Sequence, residues 1–356
     1  MSDLVDRDAR QRFACELNRN FSVVASAGSG KTRAITDRVV EIAKSRQALE
    51  WLPQLVVVTY TNRAADEMQQ RARQQILEDV KLSKKPEVIE AFNRAFFGTI
   101  HSFCMKLLAA HGHHLGLPRN LELIADDADL WNQFVQQYRT IGRSLSEQNR
   151  PVLLRHVQAR QLMELARNAE VDLRAAEPER QCSDISFAEV YAANEKPSLY
   201  IAKAKTELKR WEKRWRETDE FVAWPPCATT SKQSVGIWRE AFRPLRDWVN
   251  ACALCVAAEV QHDYREFRLE RGLVTYADQV ALAGELMRLP DVARRIREKN
   301  YRVILDEAQD TDPQQFFVLL EIARPPHARD VIPSEVEESR DETHSLHNGN
   351  IRPGHF

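Results

Sequence analysis

The sequence predicts an α/β fold, a parallel sheet flanked by helices and interrupted by a mostly helical domain. Three observations carry that prediction. Short apolar, β-branched runs alternate with helical periodicity toward both ends of the chain, whereas the middle, from Gly112 to about Glu270, shows helical periodicity alone. A glycine-rich string, Ala25-Ser26-Ala27-Gly28-Ser29-Gly30-Lys31-Thr32, joins the first apolar run to a helical pattern. An acidic string, Asp306-Glu307-Ala308-Gln309-Asp310, ends the last apolar run.

Taken in chain order, Phe21 to Val24 is the first expected strand, and Arg33 to Val40 carries apolar residues at helical spacing. Leu55 to Thr61 and Phe96 to Ile100 are the next strands, each followed by a helical pattern. In the middle, Leu130, Phe134 and Tyr138, then Leu153 to Ala166, Ala202 to Phe221 and Ile237 to Leu269 predict helices. The sheet resumes after Gly272, with Thr275-Tyr276-Ala277-Asp278 opening a helix and Tyr301 to Leu305 forming a central strand. Beyond Ala323 come Pro325-Pro326 and the charged stretch Pro333 to Glu342, which has little to bury and is expected to be disordered. The expected boundaries are therefore 1–111 for the first part of the sheet domain, 112–270 for the inserted helices, 271–323 for the second part and 324–356 for the tail.

Composition narrows the class. With 51 lysines and arginines against 52 acidic residues, net charge gives no general argument for nucleic-acid binding, so any such site must be local. There is no run of about 20 apolar residues, and the N-terminus is too charged for a secretory signal, so a cytoplasmic protein without membrane segments is expected. Six scattered cysteines suit a reducing compartment. Cys252 and Cys255 form a CxxC pair on the apolar stripe of a helical pattern, where packing is the expected role, and no second pair completes a four-ligand set. The cluster His111, His113 and His114 reads as a polar helix end.

The two strings together specify an ATP site. Gly28 and Gly30 let backbone N–H groups turn inward around phosphate oxygens, in a cradle formed by Ala25, Ser26, Ala27, Gly28, Ser29 and Gly30. The helix N-terminus that follows adds partial positive charge. Lys31 is expected to reach the β- and γ-phosphates, and the Thr32 hydroxyl to ligate Mg²⁺. Ala25 stands where the usual pattern has its first glycine, a small side chain in its place. At the other string, carboxylates emerge from a strand C-terminus, the edge at which open parallel sheets bind ligands. Asp306 is expected to hold Mg²⁺, and Glu307 to orient and deprotonate the attacking water.

These motifs resemble those of the UvrD-like superfamily 1 DNA helicases, and Asp306 to Gln315 is especially similar to the exonuclease V β-subunit branch. The resemblance extends to about residue 323 and implies a RecA-like P-loop NTPase sheet with ATP and Mg²⁺ as cofactors. It further implies that Gln11 reads adenine, that the Arg33 guanidinium packs on the base, and that Gln309 links the ATP site to the DNA-gripping elements. Thr59 to Met68 resembles motif Ia, in which Thr61 and Asn62 suit phosphate hydrogen bonds and Tyr60 suits stacking on a base. Gly98 to Phe103 resembles motif Ib, with Thr99 and His101 as further contacts to single-stranded DNA. Read without the resemblance, Tyr60 is an ordinary strand aromatic and His101 a satisfied histidine at a helix start. The basic stretch Lys203, Lys205, Lys209, Arg210, Trp211, Lys213, Arg214, Trp215 and Arg216 either faces duplex DNA or is a solvated helix face anchored by its tryptophans.

The family's motor uses two RecA-like domains with ATP between them, and its second domain supplies the arginines that stabilise phosphoryl transfer. No counterpart of that domain is recognised after Ala323, and the tail resembles translated bacterial repeat elements, so an interrupted gene is the expectation. A supplied arginine is worth about 10³ to 10⁵ in rate, so slow hydrolysis and no translocation are expected of this chain alone. Two functional classes remain: the N-terminal part of a 3′ to 5′ helicase or translocase of recombination and double-strand-break repair, or an ATP- and DNA-binding domain without helicase activity. Helicase–nuclease partner subunits stay open in either case. An ABC-type ATPase is disfavoured, because the chain has no Leu-Ser-Gly-Gly signature.

Overall fold

A computed structural model describes residues 7–24, 28–169, 176–178, 185, 187–192, 199–218, 221–227, 232–327 and 355. The expectations for Ala25, Ser26 and Ala27, and those for the tail from 328 to 354, lie outside the described residues. Two compact units form, one from residues 1–125 with 269–356 and the other from residues 126–268.

The first unit opens with α1 (Arg7–Cys15), α2 (Lys31–Lys44), α3 (Ala48–Trp51), β1 (Leu55–Val58), α4 (Asn62–Glu78), α5 (Pro86–Asn93), β2 (Phe96–Gly98), α6 (Ile100–His111) and β3 (Glu122–Leu123). The second unit holds α7 (Ala128–Gln137), α8 (Asn149–His156), α9 (Ala159–Asn168), α10 (Phe187–Ala192), α11 (Leu199–Thr218), α12 (Lys232–Ala241) and α13 (Arg243–Leu269). The first unit then resumes with β4 (Leu273–Val274), α14 (Tyr276–Arg288), α15 (Pro290–Arg297), β5 (Arg302–Leu305) and α16 (Pro313–Ala323).

Among the described residues, three strands make the main sheet in the order β2-β1-β5, all parallel, with Val58 opposite Gly98 on one side and Leu305 on the other. Side chains alternate across a strand, and β1 is buried at all four positions, so both of its faces must be covered. Val56 and Val58 join a core with residues of α6, α14, α15 and α16, whereas Leu55 and Val57 join one with residues of α2, α4 and α5. A second ladder, Glu122↔Leu273 and Leu123↔Val274, ties the two chain segments of this unit together.

The strand expected over Phe21–Val24 does not form among the described residues. The segment has no ladder partner, and Val23 and Val24 are exposed. A strand exists only by pairing, so an apolar run without a neighbour stays irregular. The outer edge of β5 instead meets His355, whose carbonyl accepts from the Val303 N–H at 2.8 Å and whose own N–H donates to the Asn20 side chain at 3.1 Å.

In the second unit, two expected helices are each split in two. Leu153 to Ala166 breaks after His156, where the Gln158 N–H donates to the Gln161 side chain at 2.9 Å and starts α9 afresh. Ile237 to Leu269 breaks before Arg243, and Pro244 sits in the first turn of α13, where its missing N–H costs nothing. Cys252 and Cys255 are buried in α13 among core side chains, and burial pushes the Cys252 thiol up to about 12. Trp211 and Trp215 stack on each other at 5.4 Å, Trp215 inside the core, while Lys209, Arg210, Lys213 and Arg214 stay exposed. The tryptophans are thus the anchors of α11.

Candidate nucleotide-binding site

The loop before α2 turns through two left-handed residues, Gly28 at φ 74° and Gly30 at φ 84°. A side chain at either would be strained, so glycine is what allows the chain to reach the helix. Gly30 caps α2 without a side-chain acceptor, leaving the first N–H groups of the helix available to an anion. The Ser29 hydroxyl is buried without a hydrogen-bond partner among the described residues. An orphaned donor beside unserved amides fits a phosphate oxygen.

Lys31 starts α2 and crosses to the end of β5, where its Nζ donates to Glu307 Oε2 at 3.1 Å. Gln309 Nε2 donates to the same carboxylate oxygen. Glu307 itself sits at φ 54°, ψ 46°, a left-handed conformation that costs a non-glycine residue on the order of 1–3 kcal/mol and is characteristic of functional sites. Hydrogen bonds from Gln309 and then Lys31 hold its carboxyl below the usual glutamate range.

Asp306, one residue earlier, has the opposite character. Its N–H donates to the Val58 carbonyl at 2.8 Å, which carries the β1–β5 ladder one step further and fixes the position of the side chain. Burial first, and the Glu307 carboxylate second, push Asp306 above the usual aspartate range, against the opposing pull of Lys31 and Thr59. A half-buried carboxylate beside a like charge fits a divalent cation, which would relieve both effects.

A cavity of about 620 Å³ is lined by Gly28, Gly30, Lys31, Thr32, Arg33, Arg71, Glu307 and Gln309. The structure thus brings together residues from both strings, Thr32 and Arg33 included. Gln11 stands exposed on α1, outside the lining. Two arginines carry no signal in the sequence. Arg10, also on α1, donates from Nη2 to the Ser29 carbonyl and lies against Gly30, and Arg71 joins the lining from α4. Neither belongs to a local pattern. Only the folding of α1 and α4 around the loop reveals them.

The residues expected to touch DNA occupy the C-terminal edge of the same sheet. Thr59 N–H donates to the Gly98 carbonyl at 3.1 Å, holding the exits of β1 and β2 together. Tyr60 follows and is 75% exposed. Thr61 caps α4 by accepting from the Ala64 N–H at 3.1 Å, and Thr99 caps α6 by accepting from the Ser102 N–H at 3.2 Å. The Thr61 hydroxyl is committed as an acceptor, which leaves its proton for an incoming oxygen, whereas the Thr99 hydroxyl also shares a hydrogen bond with the Ser102 hydroxyl at 2.9 Å. Asn62 is exposed, and His101 is half-buried in the first turn of α6. Burial holds His101 below the usual histidine range, against the pull of Asp312, so its ring favours the neutral form.

The profile of the UvrD/REP helicase N-terminal domain matches residues 5–331. The chain is 34% identical over 110 residues to a subunit of the ATP-dependent helicase/nuclease of Clostridioides difficile, a match covering 29% of this chain and 8% of that protein. It is 30% identical over 142 residues to the exonuclease/helicase subunit RexA of Lactococcus lactis, covering 36% and 12% respectively. It is likewise 30% identical over 151 residues to a probable DNA helicase II homolog of Mycoplasma capricolum, covering 42% and 18%. Each matched stretch is less than a fifth of the relative's length. The glycine-rich loop, the paired carboxylates and a match over nearly the whole chain lead to one conclusion: this protein belongs to the UvrD/REP helicase N-terminal domain family.

Proposed function

We propose that this chain is the ATP-binding portion of a DNA helicase or translocase, built on a RecA-like domain and serving recombination and double-strand-break repair with 3′ to 5′ polarity. The observation that carries this reading is the Lys31–Glu307 contact at the wall of a cavity that also exposes Gly28, Gly30 and Thr32. A phosphate-seeking lysine and a candidate base, brought together across the sequence, match the needs of phosphoryl transfer.

The residues divide the work as follows. The Gly28–Gly30 turn and the N-terminus of α2 receive phosphate oxygens, with Lys31 neutralising them and Arg33 placed for the base. Thr32 and Asp306 are the groups that would hold Mg²⁺, whose chemistry when bound is to offset charge on the phosphates. Glu307 orients water and takes its proton. Lys31 and Gln309 both hold Glu307, so a triphosphate that draws Lys31 away would free the base. Gln309 is then placed to report that change to the DNA-facing edge. At that edge Tyr60 offers a stacking face, Thr61 and Asn62 offer phosphate contacts, and Thr99 and His101 offer further contacts to the single strand.

No described helix is long and apolar enough to cross a membrane. A cytoplasmic protein working on DNA follows from the same reading, and two of the relatives, named as subunits of helicase and nuclease enzymes, support partner subunits. The left-handed, doubly bonded Glu307 favours a second reading, an ATP- and DNA-binding domain that does not turn over on its own.

ATP turnover with and without single-stranded DNA separates the two. DNA-stimulated hydrolysis that vanishes in Lys31→Ala supports a working motor site. Nucleotide and DNA binding without turnover supports the second reading, and failure to bind nucleotide overturns both.

A further inference from the structure

Trp224 stands on the surface of the helical unit, in an apolar triplet that the core of that unit does not take in. Val222 and Trp224 are each 39% exposed, and Ala223 between them is exposed as well. The Trp224 indole N–H makes no hydrogen bond among the described residues. A tryptophan kept for packing buries most of its ring and satisfies that donor. This one leaves both to a neighbour.

The triplet is nonetheless held in place. Phe221, just before it, is buried and stacks on His156 of α8 with centroids 4.0 Å apart, and His156 Nε2 donates to the Phe221 carbonyl at 3.1 Å. The Trp224 ring lies 4.9 Å from the Phe221 ring and 5.5 Å from that of His156. From α11, Trp211 Nε1 donates to the Ala223 carbonyl at 2.7 Å. Trp211 therefore does more than anchor its own helix: it fixes the loop that displays Trp224. An aromatic ordered before contact lowers the entropic cost of binding.

Arginines flank the triplet. Arg155 precedes His156, and Arg210 and Arg214 stand one residue before and one turn after Trp211. All three are exposed, and none makes an ion pair among the described residues. Exposed tryptophan beside arginine is the make-up of the residues that dominate protein–protein interfaces. Duplex DNA is instead held chiefly by hydrogen bonds to phosphate and sugar, for which the side chains of Val222 and Ala223 have no donor.

We propose that Val222, Ala223 and Trp224 form a docking point for a partner polypeptide, one with an apolar cleft that takes the Trp224 ring and an acidic rim that faces Arg155, Arg210 and Arg214. This rests on the partner subunits inferred above and gives them a surface, on the unit that does not carry the nucleotide cavity. The ring supplies the affinity, and the arginines steer the encounter and set its register.

The test places photo-reactive benzoylphenylalanine at Val222 in the full, affinity-tagged chain in the cells it comes from, and identifies by mass spectrometry what it crosslinks. The identified polypeptide is then purified and titrated against the unsubstituted chain and its variants, with thermal melting to separate a lost contact from lost folding. Trp224→Ala should weaken binding about tenfold or more, and Trp224→Phe much less. Arg210→Glu together with Arg214→Glu should weaken it severalfold at low salt, and less as salt rises. Full affinity in Trp224→Ala would overturn the docking point and leave the partner subunits standing. A polypeptide that copurifies with the tagged chain but does not crosslink at Val222 would do the same. Duplex-DNA binding that is lost in Trp224→Ala, with no polypeptide crosslinked, would assign the triplet to nucleic acid and overturn the docking point. No copurifying polypeptide would overturn the docking point and the partner subunits together.

Discussion

Lys31 and Glu307, 276 positions apart in the chain, meet at 3.1 Å across the nucleotide cavity. Two structural features make the contact possible: β5 delivers Glu307, and the turn at Gly30 starts the helix that carries Lys31. The ion pair is only about two-thirds withdrawn from solvent, so it contributes little to stability and can exchange partners when phosphate competes. Glu307→Gln should retain nucleotide affinity while turnover falls by about 10² to 10⁴, the usual share of a general base. Lys31→Ala should instead lose affinity itself. Nucleotide titration alongside single-turnover hydrolysis distinguishes the two, and equal affinity losses would remove the base assignment from Glu307.

Arg10 steadies the phosphate loop from outside. Its guanidinium donates to the Ser29 carbonyl and lies against Gly30. Its removal frees a loop whose amides must be aimed in advance, so Arg10→Ala should weaken nucleotide binding by a few-fold to about tenfold. Arg10→Lys keeps the charge but not the fork geometry, and should recover only part of that loss. A fluorescent ATP analogue read by anisotropy measures both.

The parts of this site that could be read from sequence are those encoded by contiguous residues. Gly28-Ser29-Gly30-Lys31-Thr32 dictates its own turn and helix start, and Asp306-Glu307 ends a β-branched run that has to be a strand. The β1, β2 and β5 strands were legible for the same reason, as Val56, Val57 and Val58 illustrate. Phe21–Val24 was not, because an apolar run says nothing about whether a partner strand lies beside it. Arg10 and Arg71 were not legible either, since their roles arise from the docking of α1 and α4 against the loop. Pro244 marks the start of α13, but the apolar periodicity continues across it and hides the break.

Glu321 holds the last two helices of the first unit together. It accepts from Arg297, the final residue of α15, and from Arg324 at 2.6 Å, and all three side chains are nearly withdrawn from water. Removing the carboxylate takes a buried counter-ion from two arginines. Breaking a buried pair costs about 3–5 kcal/mol, so Glu321→Ala should lower the melting temperature of this unit by roughly 10 °C. Replacing the whole trio with apolar residues of similar volume should cost far less, because no uncompensated charge is left behind. Circular-dichroism melts of the two variants make the comparison.

Glu259 plays the corresponding part in the helical unit, with a readout of its own. From the middle of α13 it accepts from the Ser144 N–H at 2.7 Å and the Gly142 N–H at 3.1 Å, and it lies 2.9 Å from the Tyr138 hydroxyl. Asp263 Oδ2 lies 2.8 Å from that same hydroxyl, so one proton serves two carboxylates, and burial together with both neighbours holds the Tyr138 proton on tightly. Losing the Tyr138 hydroxyl should therefore matter less than losing the acceptor of two backbone amides. Glu259→Ala leaves those amides unpaired at about 1–3 kcal/mol each, whereas Tyr138→Phe removes a bond that Asp263 already shares. Every tryptophan except Trp51 lies between residues 126 and 268, so denaturant unfolding followed by tryptophan fluorescence reports this unit. The midpoint should fall well below that of the unsubstituted chain for Glu259→Ala and only slightly for Tyr138→Phe. Equal midpoints for the two would mean that the loop from Gly142 to Ser144 is held by something other than Glu259.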